Sequence, residues 1–152
     1  MNYSKTLTIK SDMPSKVENK ELKVFLVEDD IYFNKVVERY LLKIGFKNQY
    51  DMEIVCFYNG QDCINELGQN PDLVILDFYL DSNNDITCTG YDVLQKIKAE
   101  NIDTMVVIMS QQHEWANFRK EFIEFGALDF LRKDDELYDN LQNLITDNLE
   151  LR

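Results

Sequence analysis

The sequence is poor in the residues that interrupt or cross-link a chain: its 152 residues include two prolines, five glycines and three cysteines. Because glycine and proline are scarce and 45% of the residues are hydrophobic, a low-complexity chain is excluded and a globular one is predicted. The cysteines, Cys56, Cys63 and Cys88, are odd in number and lack the spacing of a metal site. We therefore predict free thiols in a cytoplasmic protein.

Long apolar runs and positive charge are also missing. No run approaches the roughly 18 apolar residues that a membrane-spanning helix needs, and the N-terminus lacks the apolar core of a secretory signal. Basic residues number 16 against 28 acidic ones, which gives a formal net charge of -12. A surface of this sign repels nucleic acids and anionic membranes, so we expect neither as a partner and favour protein partners.

Histidine occurs once, as His113, which we predict to lie at the start of a helix. No serine nucleophile elbow accompanies it, so a Ser-His-Asp hydrolase has no support in the sequence. The glycine-lysine motif of a phosphate-binding P-loop is missing as well. The common hydrolase and nucleotide-binding signatures therefore do not account for the chain.

What the sequence has instead is an alternation of apolar strands with amphipathic helices. We predict strands at 23–28, 52–57, 72–76, 104–109 and 128–131. We predict helices at 31–45, 60–68, 91–100, 114–126 and 136–150, the first capped by Asp30 and ending near Gly45. This order predicts one α/β domain, 22–152, in which helices cover both faces of a parallel sheet. A flexible arm, 1–21, is expected to precede it.

Acidic residues stand where predicted strands end. In the stretch PDLVILDFYLDSNND (71–85), a buried apolar run leads directly into Asp77, and the first strand ends in Glu28 and Asp29. Parallel sheets place their functional residues at the carboxyl ends of the strands, so these carboxylates converge if the first and third strands are neighbours. Their repulsion calls for a cation, and an all-oxygen site with few carboxylates suits Mg²⁺. Asp30 is better explained as the helix cap.

Two further polar residues belong to the same predicted edge of the sheet. Ser110 ends the fourth strand and Lys133 follows the fifth. One divalent ion and the ammonium of Lys133 would balance the three carboxylates, which supports a charged site at this edge. Taken singly, Ser110 is an ordinary turn residue and Lys133 an ordinary surface charge.

Four segments, FLVEDD, PDLVILDFYL, VVIMS and GALDFLRKD, resemble in this order the receiver domain of two-component response regulators, over about residues 22–150. The resemblance implies a doubly wound, flavodoxin-like (βα)5 fold with five parallel strands in the order 2-1-3-4-5. It also implies a function: a sensor histidine kinase or a histidine phosphotransfer protein passes a phosphoryl group to the domain, with Mg²⁺. The domain then signals to a downstream protein by direct contact.

The resemblance also assigns a role to each residue that matches the family's motifs. Asp77 is the expected phosphoacceptor. The expected Mg²⁺ ligands are Glu28, Asp29, Asp77 and the backbone carbonyl of Tyr79. Ser110 and Lys133 are expected to bind the phosphoryl oxygens, and Phe130, together with Ser110, is the expected conformational switch.

The sequence departs from the family pattern around the acceptor. Asp81 replaces a proline, and the segment DSNNDITCTG (81–90) is longer than usual, so we expect it to project beside the site and to alter kinase choice. Asp134 replaces the proline whose bond is usually cis, which puts that isomer in doubt. Gln111 is bulkier than the usual residue and is expected to crowd the entry. Tyr79 and Gln112 offer no carboxylate to orient water, which predicts slow self-dephosphorylation.

Two other functions fit the sequence less well. A receiver-like interaction module that takes no phosphate would not need the acidic pair, Asp77, Ser110 and Lys133 together. A phosphatase with an aspartate nucleophile needs a second acid two residues after the first, where this chain has Tyr79. Because no output segment follows residue 152, a stand-alone receiver is expected.

Overall fold

The structure is a computed structural model that describes residues 19–80, 88–100, 103–111 and 115–149. Within these ranges strands and helices alternate, as the sequence predicts. The strands are β1 (Lys20–Val27), β2 (Tyr50–Phe57), β3 (Leu73–Asp77), β4 (Met105–Ser110) and β5 (Asp129–Arg132). The helices are α1 (Ile31–Asn48), α2 (Gly60–Asn65), α3 (Gly90–Glu100), α4 (Trp115–Glu124) and α5 (Leu137–Leu149), with one 3-10 turn (Leu67–Gln69) after α2.

The five strands form one parallel sheet in the order β2-β1-β3-β4-β5. This confirms the predicted flavodoxin-like α/β fold and the predicted strand order. Since β1 pairs with both β2 and β3, the winding reverses between β1 and β3, and Val27 pairs with Leu76 at their carboxyl ends. Sheets of this kind bind ligands in the crevice at this point of reversal.

The sheet separates two apolar cores, which explains why its central strands are apolar without a break. Leu26 and Ile75 face the layer formed by α1 and α5, whereas their neighbours Phe25 and Val74 face the layer formed by α2, α3 and α4. A strand covered on both sides has no solvent face and needs no alternation with polar residues. Each fully buried Leu, Ile or Phe stabilises the fold by about 1.5–3 kcal/mol. The central strands therefore hold their carboxyl ends rigidly.

The end of α1 differs from the prediction. The helix runs past Gly45 to Asn48 and is terminated by Gln49, which has a left-handed backbone with φ of 59°. Gly45 serves another purpose, because a Cβ atom there would lie 3.2 Å from the Tyr50 carbonyl oxygen and from Met52 Cγ. The glycine therefore allows close packing of α1 on β2 and does not end the helix.

The start of the sheet also differs from the prediction. β1 begins at Lys20, so Lys20 and Glu21 pair with Tyr50 and Asp51 and belong to the sheet, not to the arm. Of the rest of the predicted arm, Asn19 directly precedes β1, and 1–18 lie outside the described residues. Across the described ranges, no helix combines the length and apolar character required to cross a membrane.

Candidate functional site

Three carboxylates meet at the carboxyl edge of the sheet. One oxygen each from Glu28, Asp29 and Asp77 lies within 4.8 Å of the other two. They converge because β1 and β3 are parallel neighbours in register, so that their last residues leave the sheet side by side. Glu28 is 1% exposed and Asp77 is 4% exposed, whereas Asp29 is partly exposed. The predicted convergence of the acidic pair on Asp77 is thus present.

Lys133 inserts its ammonium into this cluster. Its Nζ lies 2.6 Å from Glu28 Oε2 and 2.9 Å from Asp77 Oδ1, and its side chain is 6% exposed. The backbone N–H of Lys133 donates to the Ser110 carbonyl at 2.9 Å, which places the residue directly beyond β5. The sequence predicted a lysine at this edge, and the structure brings it to the carboxylates.

The same ammonium lies over the ring of Phe33, with Nζ 4.6 Å from the ring centroid. Phe33 belongs to the first turn of α1, one hundred positions before Lys133 in the chain. Sequence reasoning missed this residue, because an apolar residue in an amphipathic helix is ordinarily assigned to the core.

The site is short of positive charge. Burial raises the pKa of the Glu28 carboxyl to about 7, and the nearby charge of Asp77 adds to this rise, while Lys133 opposes it. Burial also raises the pKa of Asp77, again against the lowering effect of Lys133. One ammonium does not offset three clustered carboxylates, so the protein favours an additional cation or a proton here.

The first turn of α1 fixes the acidic pair. Asp30 caps the helix, because its Oδ1 accepts from the N–H of Tyr32 at 2.9 Å and of Phe33 at 3.1 Å. Its own N–H donates to Glu28 Oε1 at 3.2 Å. Asp30 is therefore a cap, as predicted, and orients Glu28 from behind.

Asn34 is a second residue that the sequence analysis missed. It is fully buried, and its Nδ2 donates to the backbone carbonyl of Glu28 at 3.2 Å. Its position belongs to the buried face of α1, which it shares with Val37 and Leu41. A polar residue on an otherwise apolar helix face was the available signal.

The chain beyond Asp77 is held by its backbone. The N–H of Phe78 donates to the Met109 carbonyl at 2.9 Å, and the Phe78 carbonyl accepts from Gly90 N–H at 3.2 Å. A Cβ atom on Gly90 would lie 2.5 Å from the Asp77 carbonyl oxygen and 3.0 Å from Phe78 Cα. Only glycine permits this approach, so the start of α3 is fitted to the end of β3.

Tyr79 lies two residues beyond Asp77. Its backbone N–H bonds the Asp77 carboxylate, which lowers the pKa of that group against the larger effect of burial. Its side chain is 50% exposed, with the ring edge-on to Phe78 at 4.5 Å between centroids. The ring thus stands at the rim of the site, half in solvent.

Ser110 and Phe130 occupy neighbouring strands behind the site. Ser110 ends β4 and is fully buried. Phe130, in β5, is 2% exposed and stacks on Phe122 at 5.6 Å between ring centroids. Its ring also meets Phe78 at 6.2 Å. A continuous aromatic path therefore links the residue after Asp77 with the predicted switch.

Some of the positions at which the sequence departs from the receiver pattern lie among the described residues. Every peptide bond among the described residues is trans, including that between Lys133 and Asp134. Gln111 is exposed at the end of β4. The predictions for Asp81, for the greater part of the long segment (81–87), for Gln112 and for His113 fall outside the described residues.

The chain matches the family described as the response regulator receiver domain over residues 24–145. It is similar to the transcriptional regulatory protein MalR of Bacillus subtilis, with 28% identity over 128 residues, which are 83% of this chain and 49% of that protein. It is also similar to a protein-glutamate methylesterase/protein-glutamine glutaminase of Colwellia psychrerythraea, with 30% identity over 112 residues, which are 73% of this chain and 27% of that protein. The chain thus spans half or less of the length of these two relatives.

Solved structures show the same fold. The receiver domain of NtrX from Brucella abortus has a TM-score of 0.70 at 23% identity and covers 85% of this chain and 99% of its own. The signal receiver domain of the putative response regulator NarL from Mycobacterium tuberculosis has a TM-score of 0.69 at 20% identity, with coverage of 88% and 99%. The family match covers most of the chain and agrees with the sheet order and with the acidic edge. The protein therefore belongs to the response regulator receiver domain family.

Proposed function

We propose that the protein accepts a phosphoryl group on Asp77 from the phosphohistidine of a sensor kinase or phosphotransfer protein. The observation that carries this proposal is the buried cluster in which Lys133 Nζ contacts both Glu28 and Asp77 beside Asp29. A carboxylate at the rigid end of a buried strand, with a fixed cation against it, is suited to nucleophilic attack on phosphorus.

The transfer is a nucleophilic displacement at the phosphorus atom. A carboxylate oxygen of Asp77 attacks the phosphorus atom, so a P–O bond forms while the P–N bond to the donor imidazole breaks. The imidazole keeps the electron pair of that bond and takes up a proton from solvent water as it leaves. Lys133 and Ser110 then meet the phosphoryl oxygens, whose charge the ammonium partly neutralises. The domain catalyses its own phosphorylation and, with water as the attacking group, its own dephosphorylation.

The donor set fits Mg²⁺. Glu28, Asp29 and Asp77 supply only oxygen, their ligand atoms lie within 4.8 Å of one another, and the raised pKa values of Glu28 and Asp77 indicate a need for positive charge. These side chains and the carbonyl of Tyr79 are the residues that would hold the ion. When bound, the ion would offset the negative charge on the Asp77 carboxylate and on the oxygens of the incoming phosphoryl group.

Phosphorylation is proposed to change the packing of side chains next to the site, and this change is the signal. A phosphoryl group adds volume and charge beside Ser110, and Phe130 is the buried ring that responds by changing its packing against Phe122. Receiver output of this kind is a shift between two packed states, which a partner protein reads. The acidic surface favours protein partners, and the three free thiols suit the cytoplasm.

The test is phosphorylation with acetyl phosphate and Mg²⁺, read by intact mass. Wild type is expected to gain one phosphoryl group, and Asp77→Asn none. Asp51→Asn, on the edge strand β2, is the matched control and should label as wild type does. Equal labelling of Asp77→Asn and wild type would refute the acceptor assignment, whereas no label on any protein would favour the interaction module.

A further inference from the structure

The ammonium of Lys133 contacts an aromatic ring in addition to the two carboxylates with which it forms ion pairs. Glu28 and Asp77 take up two directions, and the face of the Phe33 ring lies 4.6 Å away in a third. The lysine and both carboxylates are each 6% exposed or less. Attraction between a cation and an aromatic face is strongest where water is excluded, and this site meets that condition.

Phe33 is itself fixed in place. Its backbone N–H donates to the capping Asp30 Oδ1 at 3.1 Å, and its ring packs against the core formed by α1 and α5. The ring therefore has a fixed position, whereas a lysine side chain is long, flexible and has many rotamers.

We propose that Phe33 is a positioning residue for Lys133, whose ring holds the ammonium at Asp77 during phosphoryl transfer. The inference rests on the proposed phosphoacceptor function. When the oxygens of Glu28 and Asp77 bind a metal ion or, for Asp77, a phosphoryl group, the ion pairs that they form with Lys133 weaken. The contact with Phe33 involves neither carboxylate, so it persists and keeps the ammonium from swinging away.

A purely structural role for Phe33 predicts something different. If the ring only fills space beside α5, any substitution of equal shape should leave phosphoryl transfer unchanged. If the ring attracts the ammonium, withdrawing electrons from its face should slow transfer although shape is kept. The two roles are therefore separable by fluorination.

The experiment replaces Phe33 with mono-, di- and trifluorophenylalanine in the full chain and measures the initial rate of Asp77 labelling by acetyl phosphate at saturating Mg²⁺. We expect a stepwise fall that reaches roughly three- to tenfold, as loss of a cation–π contact implies. Phe33→Tyr should stay near wild type, and Phe33→Leu should match the trifluoro variant. The same fluorinated series at Phe57, whose ring meets Phe25 at 4.9 Å, is the control and should not change the rate.

A second measurement needs no phosphate donor. The methylene protons next to Nζ of Lys133 should be shifted upfield by the ring in the NMR spectrum, and Phe33→Leu should abolish that shift. A flat rate across the Phe33 series, an equal fall in the Phe57 series, or an unshifted Lys133 in wild type would each overturn the inference while wild type still labels. Failure of wild type to label overturns the proposed function itself.

Discussion

Two lysine–carboxylate pairs stand at opposite ends of the sheet, and burial makes them behave differently. At the amino end, Lys23 Nζ lies 3.5 Å from Glu53 Oε2, with side chains 27% and 65% exposed. At the carboxyl end, Lys133 Nζ lies 2.6 Å from Glu28 Oε2, with side chains 6% and 1% exposed. Solvent screens the first pair, which contributes about 0–1 kcal/mol. The second pair lies out of water, where burial raises the pKa of Glu28 to about 7.

The difference shows that the carboxyl end of the sheet has a less favourable electrostatic contribution to folding. An isolated ion pair at the surface leaves both groups with their ordinary water shells. A buried pair with surplus carboxylates destabilises the fold unless another cation or a proton arrives. Binding sites need this property, because a site satisfied on its own has nothing to gain from a ligand.

The largest predicted effect concerns pH. The Glu28 carboxyl has a pKa near 4.5 in the unfolded chain and about 7 in the folded protein, so the folded state holds a proton that the unfolded state releases. The free energy of unfolding of the metal-free protein should therefore fall as pH rises from about 4.5 to about 7. The loss attributable to Glu28 is about 3 kcal/mol at most, since one pKa unit corresponds to about 1.4 kcal/mol.

Urea unfolding in a chelator, from pH 5 to pH 8, checks this for wild type and Glu28→Gln. The variant should lose less stability over the window, and Glu53→Gln, at the exposed end, should follow wild type. A Glu28→Gln variant with the same pH dependence as wild type would contradict the proposed protonation. Added Mg²⁺ should offset the loss in wild type at pH 8.

The next effect concerns the lysines themselves. Lys133→Met leaves Glu28 and Asp77 without their cation and should lower the free energy of unfolding by about 2 kcal/mol at pH 8. The effect stays below that of a fully uncompensated buried charge because Glu28 can take up a proton. Lys23→Met, the matched change at the exposed end, should cost less than about 1 kcal/mol. Similar losses for both variants, measured by urea unfolding, would erase the contrast between the ends.

A third effect compares two glycines. Gly90→Ala at the carboxyl end places a Cβ atom 2.5 Å from the Asp77 carbonyl oxygen, whereas a Cβ atom on Gly68 would meet nothing within 4 Å. Because backbone must move, Gly90→Ala should cost about 1–2 kcal/mol and slow phosphorylation. Gly68→Ala should stay within about 0.5 kcal/mol of wild type. Thermal unfolding and intact-mass labelling of both variants provide the measurements.

The smallest effect is in thiol chemistry and leaves stability unchanged. Burial raises the pKa of Cys63 to about 12, and it also raises the pKa of the partly exposed Cys56 and Cys88. Iodoacetamide at pH 8 should therefore modify Cys56 and Cys88 first and Cys63 last, as followed by peptide mass mapping. Early modification of Cys63 would show that the core under α2 opens readily.

Local patterns carried most of the fold and the acidic edge. Leu73 to Leu76 form a short apolar run that favours a doubly covered strand, and Asp77 ends it where a parallel sheet binds ligands. The pattern could not show Phe33 beneath Lys133, because that contact joins distant positions and depends on how α1 packs. Nor could it show that β1 starts at Lys20, since the first residues of β1 are exposed and look like a polar arm.

The hydrogen bond between Gly90 N–H and the Phe78 carbonyl also ties together the two ends of the segment that separates β3 from α3. The entropy of closing a loop grows only with the logarithm of its length, so doubling this segment costs about 0.6 kcal/mol. Insertions there leave the end of β3 and the start of α3 in place. Evolution can thus lengthen or rewrite this segment without moving Asp77 or the start of α3.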